Sequence, residues 1–235
     1  MRFPFSLLFI VFYFFSNTII AQTNKTTHDN WNVLLKTYVD NNGNVNYKGF
    51  LKDKDALTKY IDKLGKNPLL DSASKNERLA YYINLYNAAT VKLILDNYPV
   101  KSIKKIAKPW DKEWIKVGNK TLSLEDIEHK ILRKIEEPRI HFAVNCAAKS
   151  CPPLHNGAWT AENLESNLES SAKKFINNNN YNQITASSAK ISSIFDWYAK
   201  DFGDVKAYLN KYSNTKLNSG IKIGFTDYNW NLNGK

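Results

Sequence analysis

The chain has 235 residues, 43% of them hydrophobic and 13% aromatic, so it can bury a substantial core and form one domain of ordinary size. Its net charge of +11 raises the possibility of nucleic-acid binding. The lysines are scattered through predicted helices without a dense block or an arginine-rich groove, so we do not expect nucleic acid as a partner. No period of about 20 to 50 residues recurs, which excludes a repeat architecture.

The first 21 residues have the pattern of a secretory signal peptide. Arg2 precedes an apolar run from Phe3 to about Phe15, and small or polar residues lead to an expected cleavage after Ala21. The run is shorter than the roughly 20 residues of a membrane-spanning helix. We therefore expect residues 22–235 to form a periplasmic or secreted monomer without a transmembrane segment. An uncleaved N-terminal anchor is the alternative.

The N-terminal half is predicted to be helical. Residues 28–40 and 51–64 have helical patterns, separated by the turn sequence NNGN. The clearest helix begins after Ser74, which can form a capping box with Glu77, and it ends before Pro99.

Two asparagines, Asn84 and Asn87, lie three residues apart in this helix. Asparagine is a poor helix former because its side chain competes with the backbone for hydrogen bonds. Their amides are therefore expected to hold either the backbone of a neighbouring loop or a bound substrate.

The next predicted helix covers residues 123–135. On a helical wheel with 100° per residue, Glu128 lies inside the arc of apolar residues, whereas His129 and Arg133 lie towards the opposite side. A carboxylate among aliphatic side chains is costly unless it is paired or hydrogen-bonded. We expect Glu128 to meet Arg139 or His141, either as a structural pair or as part of a functional site.

The C-terminal half mixes strands and helices. Residues 139–145 are predicted as a strand, and 161–176 as a helix capped by Thr160. One or two strands over 183–194, two short helices and a terminal strand from 221 follow. Helices and strands without βαβ alternation favour a single α+β domain with helices packed on a mostly antiparallel sheet. No nucleotide-binding or GxSxG motif occurs, and no cofactor is predicted.

Both cysteines and two of the four histidines lie in RIHFAVNCAAKSCPPLH, residues 139–155. In a strand, His141 and Asn145 share one face and Cys146 the other, so His141 contacts Cys146 only if the chain turns. Cys146 and Cys151 are spaced C-x4-C, which allows a disulfide in an exported protein.

A catalytic site is the second possibility. Cys146 would be the nucleophile, activated by His141 with Glu128 or Asn145. Asn145, Ser150 and nearby loop amides would contact the substrate or donate to an oxyanion. A zinc site of both cysteines, His141 and His155 is a third possibility, but the spacing matches no zinc-finger pattern and no metal is predicted.

Five ordered stretches resemble the domain of unknown function 547 family, DUF547. They are RLAYYINLYNAATVKLILDNYPVKSI, SLEDIEHKILR, PRIHFAVNCAAKSCPPL, IFDWYAKDF and DYNWNLN. The resemblance implies an exported bacterial α+β domain and an association with papain-like and transglutaminase-like thiol hydrolases. It implies Cys146 as nucleophile, His141 as its partner, and Glu128 as an orienting or structural carboxylate.

Two functions follow as hypotheses. The first is a thiol-dependent hydrolase or acyl transferase that acts on an amide or thioester of a small molecule or peptide. The alternative is a non-catalytic periplasmic binding or structural module in which Cys146 and Cys151 form a disulfide and the tryptophans form core and ligand surface.

Overall fold

Helices make up most of the secondary structure. The computed structural model describes residues 27–234, so the predicted signal peptide at residues 1–21 lies outside the described part. The α-helices are α1 (Asp29–Tyr38), α2 (Tyr47–Phe50), α3 (Lys54–Lys66), α4 (Lys75–Asp96), α5 (Leu164–Ile176), α6 (Ile194–Trp197), α7 (Ala199–Phe202) and α8 (Val205–Tyr212). Among residues 27–234, no helix has both the length and the apolar character needed to cross a membrane.

The strands form two small sheets. They are β1 (Ile115–Val117), β2 (Lys120–Leu122), β3 (Gln183–Ile184), β4 (Ala189–Ser192) and β5 (Ile223–Thr226). β1 and β2 pair antiparallel, β3 pairs antiparallel with β4, and β4 pairs parallel with β5. The predicted single α+β domain is confirmed, with about 49% helix and 10% strand.

Helix α4 is the central element of the fold. Ser74 and Glu77 form the predicted capping box at its start. Fourteen of its 22 residues are buried, so it is covered on more than one side. Such burial explains how two asparagines are tolerated in it, since their side chains are held by neighbouring segments rather than by water.

Two hydrophobic cores meet beside α4. The larger surrounds α4 and includes Trp31, Tyr47 and Trp159. The smaller is rich in aromatic residues and includes Phe175 and Phe202. The candidate site lies where these two cores meet.

The predicted strand over residues 139–145 is wrong. Pro138–Phe142 forms a 3₁₀-helix that begins with Pro138 and is capped by the Glu137 carboxylate. Ile140 packs into the larger core and Phe142 into the smaller one, whereas a strand would have put both on the same face. This turn also removes the strand geometry that separated His141 from Cys146.

The predicted α-helix over residues 123–135 has a different geometry. Ser123 caps it as expected, but Asp126–Leu132 forms a π-helix and Arg133–Ile135 a 3₁₀-helix. A π-helix has more residues per turn than an α-helix, so positions assigned at 100° intervals change direction. Glu128 and His129 consequently face the same cavity.

Candidate active site

A cavity of about 350 Å³ opens between the two cores and contains the predicted catalytic residues. Its volume falls within the range of small-molecule sites. Three predicted catalytic residues, Cys146, His141 and Glu128, line it together with Cys151. Other residues of its walls are Tyr86, His129, Tyr198 and Tyr228. The structure therefore brings the predicted thiol, imidazole and carboxylate into one cavity.

The loop that carries Cys146, residues 143–152, is called the cysteine loop. It is held by the buried side chain of Asn145. Its Nδ2 donates to the Pro152 carbonyl at 2.8 Å, and its Oδ1 accepts from the Ala147 N–H at 2.9 Å and from Asn233 Nδ2 at 3.2 Å. Tyr47 in turn donates to Asn233 Oδ1 at 2.7 Å. Asn145 was predicted to contact substrate, but in the structure its amide closes the cysteine loop.

The C-terminal segment forms the other side of this loop. The Ser150 N–H donates to the Asn229 carbonyl, and Ser150 Oγ accepts from the Asn229 N–H at 2.8 Å. The Lys149 N–H donates to the Asn231 carbonyl. Ser150, predicted as an oxyanion donor, is thus used to attach the C-terminal segment, and this attachment positions Tyr228 against the cavity.

Asn84 and Asn87 bind loop backbone, which was one of the two predicted possibilities. Asn84 Nδ2 donates to the Trp159 carbonyl at 2.7 Å, and its Oδ1 accepts from the Trp159 N–H. Asn87 does the same for the cysteine loop, donating to the Ala143 carbonyl at 2.9 Å and accepting from the Asn145 N–H at 2.8 Å. Both are buried and neither lines the cavity.

The replacement Asn87→Ala should destabilise the protein and disturb Cys146. Two buried backbone groups would lose their partners, which should cost about 2 to 3 kcal/mol. The pH midpoint of Cys146 alkylation should also rise towards that of a free thiol, because the loop is no longer fixed. Thermal unfolding and iodoacetamide rates measure the two effects.

Asn84→Ala is the matched control, because it removes the same two kinds of bond from the Trp159 backbone. It should lower stability by a similar amount and leave the alkylation midpoint unchanged. A shift of equal size in both variants would show that Asn87 has no specific role at the site.

Ala147, directly after Cys146, has a left-handed backbone with φ of +61°. This conformation is unfavourable for a residue with a Cβ atom and persists where surrounding bonds enforce it. The enforcing bonds are those of the Ala147 N–H to Asn145 and of the Ala147 carbonyl, which accepts from the Asn233 N–H. Strain of this kind is often found beside reactive groups.

The two thiols are free and differ in environment. Cys146 is half-buried and Cys151 is buried, with 6% exposure. The Cys146 N–H donates to Cys151 Sγ at 3.0 Å, and the Tyr228 hydroxyl lies 3.3 Å from Cys146 Sγ. The alternative hypothesis requires a disulfide between these thiols, and the structure contains both in the unlinked form.

Hydrogen bonds favour the thiolate of Cys146. A bond from the Cys151 thiol lowers the pKa of Cys146, and bonds from Tyr228 and the Ala148 N–H add to this effect against the opposing effect of burial. Burial raises the pKa of Cys151 well above its ordinary value. Of the two thiols, Cys146 is therefore the one whose ionised form is favoured, and Cys151 is a donor to it.

Glu128 is buried as predicted, but its partner differs from the expectation. Tyr198 donates its hydroxyl to Glu128 Oε1 at 2.6 Å. Arg139, one of the two expected partners, instead pairs with Glu137 and Glu165. Burial raises the pKa of Tyr198, so its hydroxyl keeps its proton and can donate to the carboxylate.

An ion pair between Arg133 and Asp201 lies behind the cavity wall. Arg133 Nε and Nη2 donate to the two Asp201 oxygens at 2.6 and 2.7 Å. Hydrogen bonds from Arg133, together with one from His141, lower the pKa of Asp201. The Arg133 guanidinium also lies over the Tyr198 ring, 5.3 Å from its centre.

This ion pair fixes the proton position on two histidines. Arg133 Nη1, which can only donate, lies 2.8 Å from His129 Nδ1, so a neutral His129 carries its proton on Nε2. Asp201 Oδ2 lies 2.8 Å from His141 Nε2, so a neutral His141 carries its proton there and keeps Nδ1 as an acceptor. Both rings line the cavity, where His129 offers a donor and His141 an acceptor.

His141 is held as a neutral base. Its ring stacks on Tyr198 with centres 3.9 Å apart and also contacts Phe202. Burial lowers the pKa of His141, although the Asp201 bond partly opposes this. Within residues 27–234, no hydrogen bond joins His141 to Cys146, so the imidazole and the thiol share the cavity without direct contact.

His155 does not join the cysteines. Its Nδ1 bonds to the Gly157 carbonyl, and its ring packs against Trp159 beside a separate polar cleft. The zinc site considered from the sequence would need His155 at the cavity, so the structure separates that set of ligands.

Four residues of the site were missed in the sequence, namely His129, Tyr198, Asp201 and Tyr228. Tyr198 and Asp201 lie in IFDWYAKDF and Tyr228 in DYNWNLN. Both stretches contribute to the family resemblance although they carry few hydrophobic positions of a regular pattern. A stretch that contributes to the family resemblance without a regular hydrophobic pattern was the signal that could have indicated these last three residues.

The comparisons with known proteins identify a family without a stated activity. Residues 70–176 match the family described as "Protein of unknown function, DUF547". No curated protein and no solved structure matches the chain. The matched range runs from the start of α4 to the end of α5 and contains the cysteine loop, while Asp201 and Tyr228 lie beyond it. The chain therefore contains a DUF547 domain over residues 70–176.

Proposed function

We propose that this protein is a thiol-dependent hydrolase or acyl transferase that acts on an amide or thioester. The observation that carries the proposal is the Cys146 thiol in the cavity wall, with three hydrogen-bond donors that favour its ionised form. The papain-like or transglutaminase-like relationship and an exported location belong to the same proposal. Support for export comes from the pattern of residues 1–21.

The first half of the reaction forms an acyl-enzyme. The Cys146 proton passes to His141 Nδ1 through a bound water, and Cys146 Sγ forms a bond to the substrate carbonyl carbon. The carbonyl π electrons move to the oxygen and return as the C–N or C–S bond to the leaving group breaks. The leaving group takes its proton from the His141 imidazolium.

The second half releases the acyl group. Neutral His141 takes a proton from water, and the resulting hydroxide attacks the thioester carbonyl. The C–S bond breaks, the sulfur recovers its proton from His141, and a carboxylic acid leaves. An amine or alcohol in place of water gives acyl transfer instead.

Two donors are suited to the negative charge on the carbonyl oxygen. His129 offers its Nε2–H, because Arg133 occupies Nδ1. Tyr228 offers a hydroxyl whose pKa is raised by burial, so it keeps its proton while it donates. Donors fixed before the reaction stabilise developing charge with little reorganisation, which is a large contribution in acyl transfer.

A substrate panel tests the proposal. Aminoacyl arylamides and acyl thioesters are incubated with the full chain, and released arylamine or thiol is followed by absorbance. We expect turnover that falls at least about 1,000-fold in Cys146→Ala while the melting temperature stays within a few degrees. Turnover that persists in Cys146→Ala would overturn the proposal.

A further inference from the structure

The cavity has the opposite charge to the protein as a whole. The chain carries a net charge of +11. The carboxylates of Asp111, Glu125 and Glu128 line the cavity, and no lysine or arginine of the described residues is part of its lining. A basic protein whose described lysines and arginines all lie outside the lining of one cavity creates a local environment for a cation there.

Tryptophans form the outer wall of the cavity. Trp230 lies between Trp110, at 5.7 Å and nearly perpendicular, and Trp197, stacked at 5.9 Å. Trp197 is 48% exposed, so it adds little to the core and presents its ring at the opening. Aromatic faces attract ammonium and guanidinium groups, and Lys104 Nζ already lies 5.0 Å from the centre of Trp230.

Two exposed carboxylates are held next to this wall. The Glu125 N–H donates to the Trp110 carbonyl at 3.1 Å, which ties the start of the π-helix to the tryptophan. The carboxyl groups of Glu125 and Asp111 are close enough to hydrogen-bond, and this contact raises the pKa of Glu125. Among residues 27–234 neither forms an ion pair, because the nearby Lys130 binds Asp126 at 2.6 Å.

Two carboxylates held together beside an aromatic wall repel each other unless a shared proton or a cation lies between them. The protein supplies no bridging cation from its described residues. A bound cation would relieve the repulsion and contact the tryptophan faces at the same time. Glu128 lies deeper, nearer the thiol, and is already bonded to Tyr198, so Asp111 and Glu125 are the acids available to a ligand.

We propose that the cavity binds an acyl substrate carrying an ammonium or guanidinium group, which lies between the tryptophan wall and the Asp111–Glu125 pair while the carbonyl lies at Cys146. The assignment of the carbonyl to Cys146 rests on the proposed function. The recognition of the cation does not require it. The bonds made and broken are those of the acyl transfer described above, and the cationic group takes no part in them.

Binding without turnover tests the cation directly. The full-length Cys146→Ala variant is titrated with Nα-acetyl-lysine amide and with Nα-acetyl-norleucine amide, whose side chain lacks the ammonium group, and tryptophan fluorescence reports binding. We expect the lysine probe to bind at least tenfold more tightly. Equal affinities, or tighter binding of the norleucine probe, would overturn the proposal.

Charge-removing variants identify the residues responsible. Adding Asp111→Asn and Glu125→Gln to Cys146→Ala should reduce the preference for the lysine probe to less than threefold. Adding Asp62→Asn, which removes an exposed carboxylate on α3, should leave the preference intact. A preference that survives the double replacement, or is lost in the Asp62 variant, would also overturn the assignment.

A parallel assay separates this inference from the proposed function. The unmodified protein is given thioesters of Nα-acetyl-lysine and Nα-acetyl-norleucine, and acylation of Cys146 is followed by mass spectrometry. Selective binding of the lysine probe without acylation from either thioester would support cation recognition and contradict the hydrolase. Acylation from both at equal rates, with equal probe affinities, would support the hydrolase and contradict cation recognition.

Discussion

Iodoacetamide should alkylate Cys146 in the folded protein near neutral pH and leave Cys151 unmodified until the chain unfolds. Cys146 is half-buried with its pKa lowered by the Cys151 bond, whereas Cys151 is buried with its pKa raised by that burial. Each pKa unit changes the thiolate fraction tenfold, so the two rates should differ by at least about 100-fold. Peptide mass spectrometry over a pH series gives both rates and the midpoint for Cys146.

The partner thiol provides the control. Cys151→Ala removes the strongest contribution to the lowered pKa of Cys146, so the alkylation midpoint should move up towards the ordinary thiol value. Cys151→Ser keeps a hydroxyl donor and should preserve the low midpoint. Equal alkylation of both cysteines in the native protein, or a midpoint unaffected by Cys151→Ala, would contradict the activation that we infer.

Asp201→Asn should remove most activity and a measurable part of the stability. Asp201 joins Arg133 to His141, and an amide in its place would leave the guanidinium without a charged partner. We expect a loss of about 2 to 3 kcal/mol in the free energy of unfolding, less than for a fully buried pair, because the pair is only half-buried. Turnover should fall about 100-fold as the His141 ring loses its fixed orientation.

The pH dependence distinguishes positioning from simple destabilisation. The Asp201 bond raises the pKa of His141 against the larger lowering by burial. In the proposed mechanism His141 acts as a base, so activity should fall as the pH drops through the lowered pKa of His141. Asp201→Asn should move this acid limb of the pH profile to lower pH. The Asp201 pKa is itself lowered, so its stabilising contribution is present above about 3.8 and is lost in more acidic solution.

Asp96→Asn is the matched control for Asp201→Asn. Asp96 contacts Lys54 and Lys92, each at 2.7 Å, at the end of α4 and away from the cavity. This variant should lose some stability and keep both the turnover of the folded protein and the position of the acid limb. An unchanged acid limb in Asp201→Asn, with activity lost only in proportion to unfolding, would reduce Asp201 to a structural residue.

The parts of the fold that follow local rules could be predicted from the sequence. The capping box at Ser74 and the apolar stripe after it place α4, and the amphipathic pattern of residues 161–176 predicts α5. Burial of Glu128 also followed from its position among aliphatic residues. In each case the determining contacts lie within one or two turns of the residue.

The predictions that were wrong concern segments whose structure depends on contacts with distant parts of the chain. In the 3₁₀-helix at Pro138–Phe142, Ile140 and Phe142 lie two residues apart and enter different cores. Alternation along the sequence cannot indicate which core receives which residue. The π-helix at Asp126–Leu132 changes the direction of His129. A helical wheel with 100° per residue places His129 on the side opposite the apolar arc. Asp201 lies 60 residues beyond His141 and in a four-residue helix, so spacing gives no indication of their contact.

The most direct test of the account is to locate a trapped acyl group. The protein is mixed with an acyl thioester at neutral pH, quenched in acid within seconds, digested, and mapped by mass spectrometry. We predict a mass increase equal to the acyl group on the peptide that contains Cys146, and no such increase in Cys146→Ala. An acyl group found only on another residue, or hydrolysis that proceeds with Cys146 removed, would contradict it.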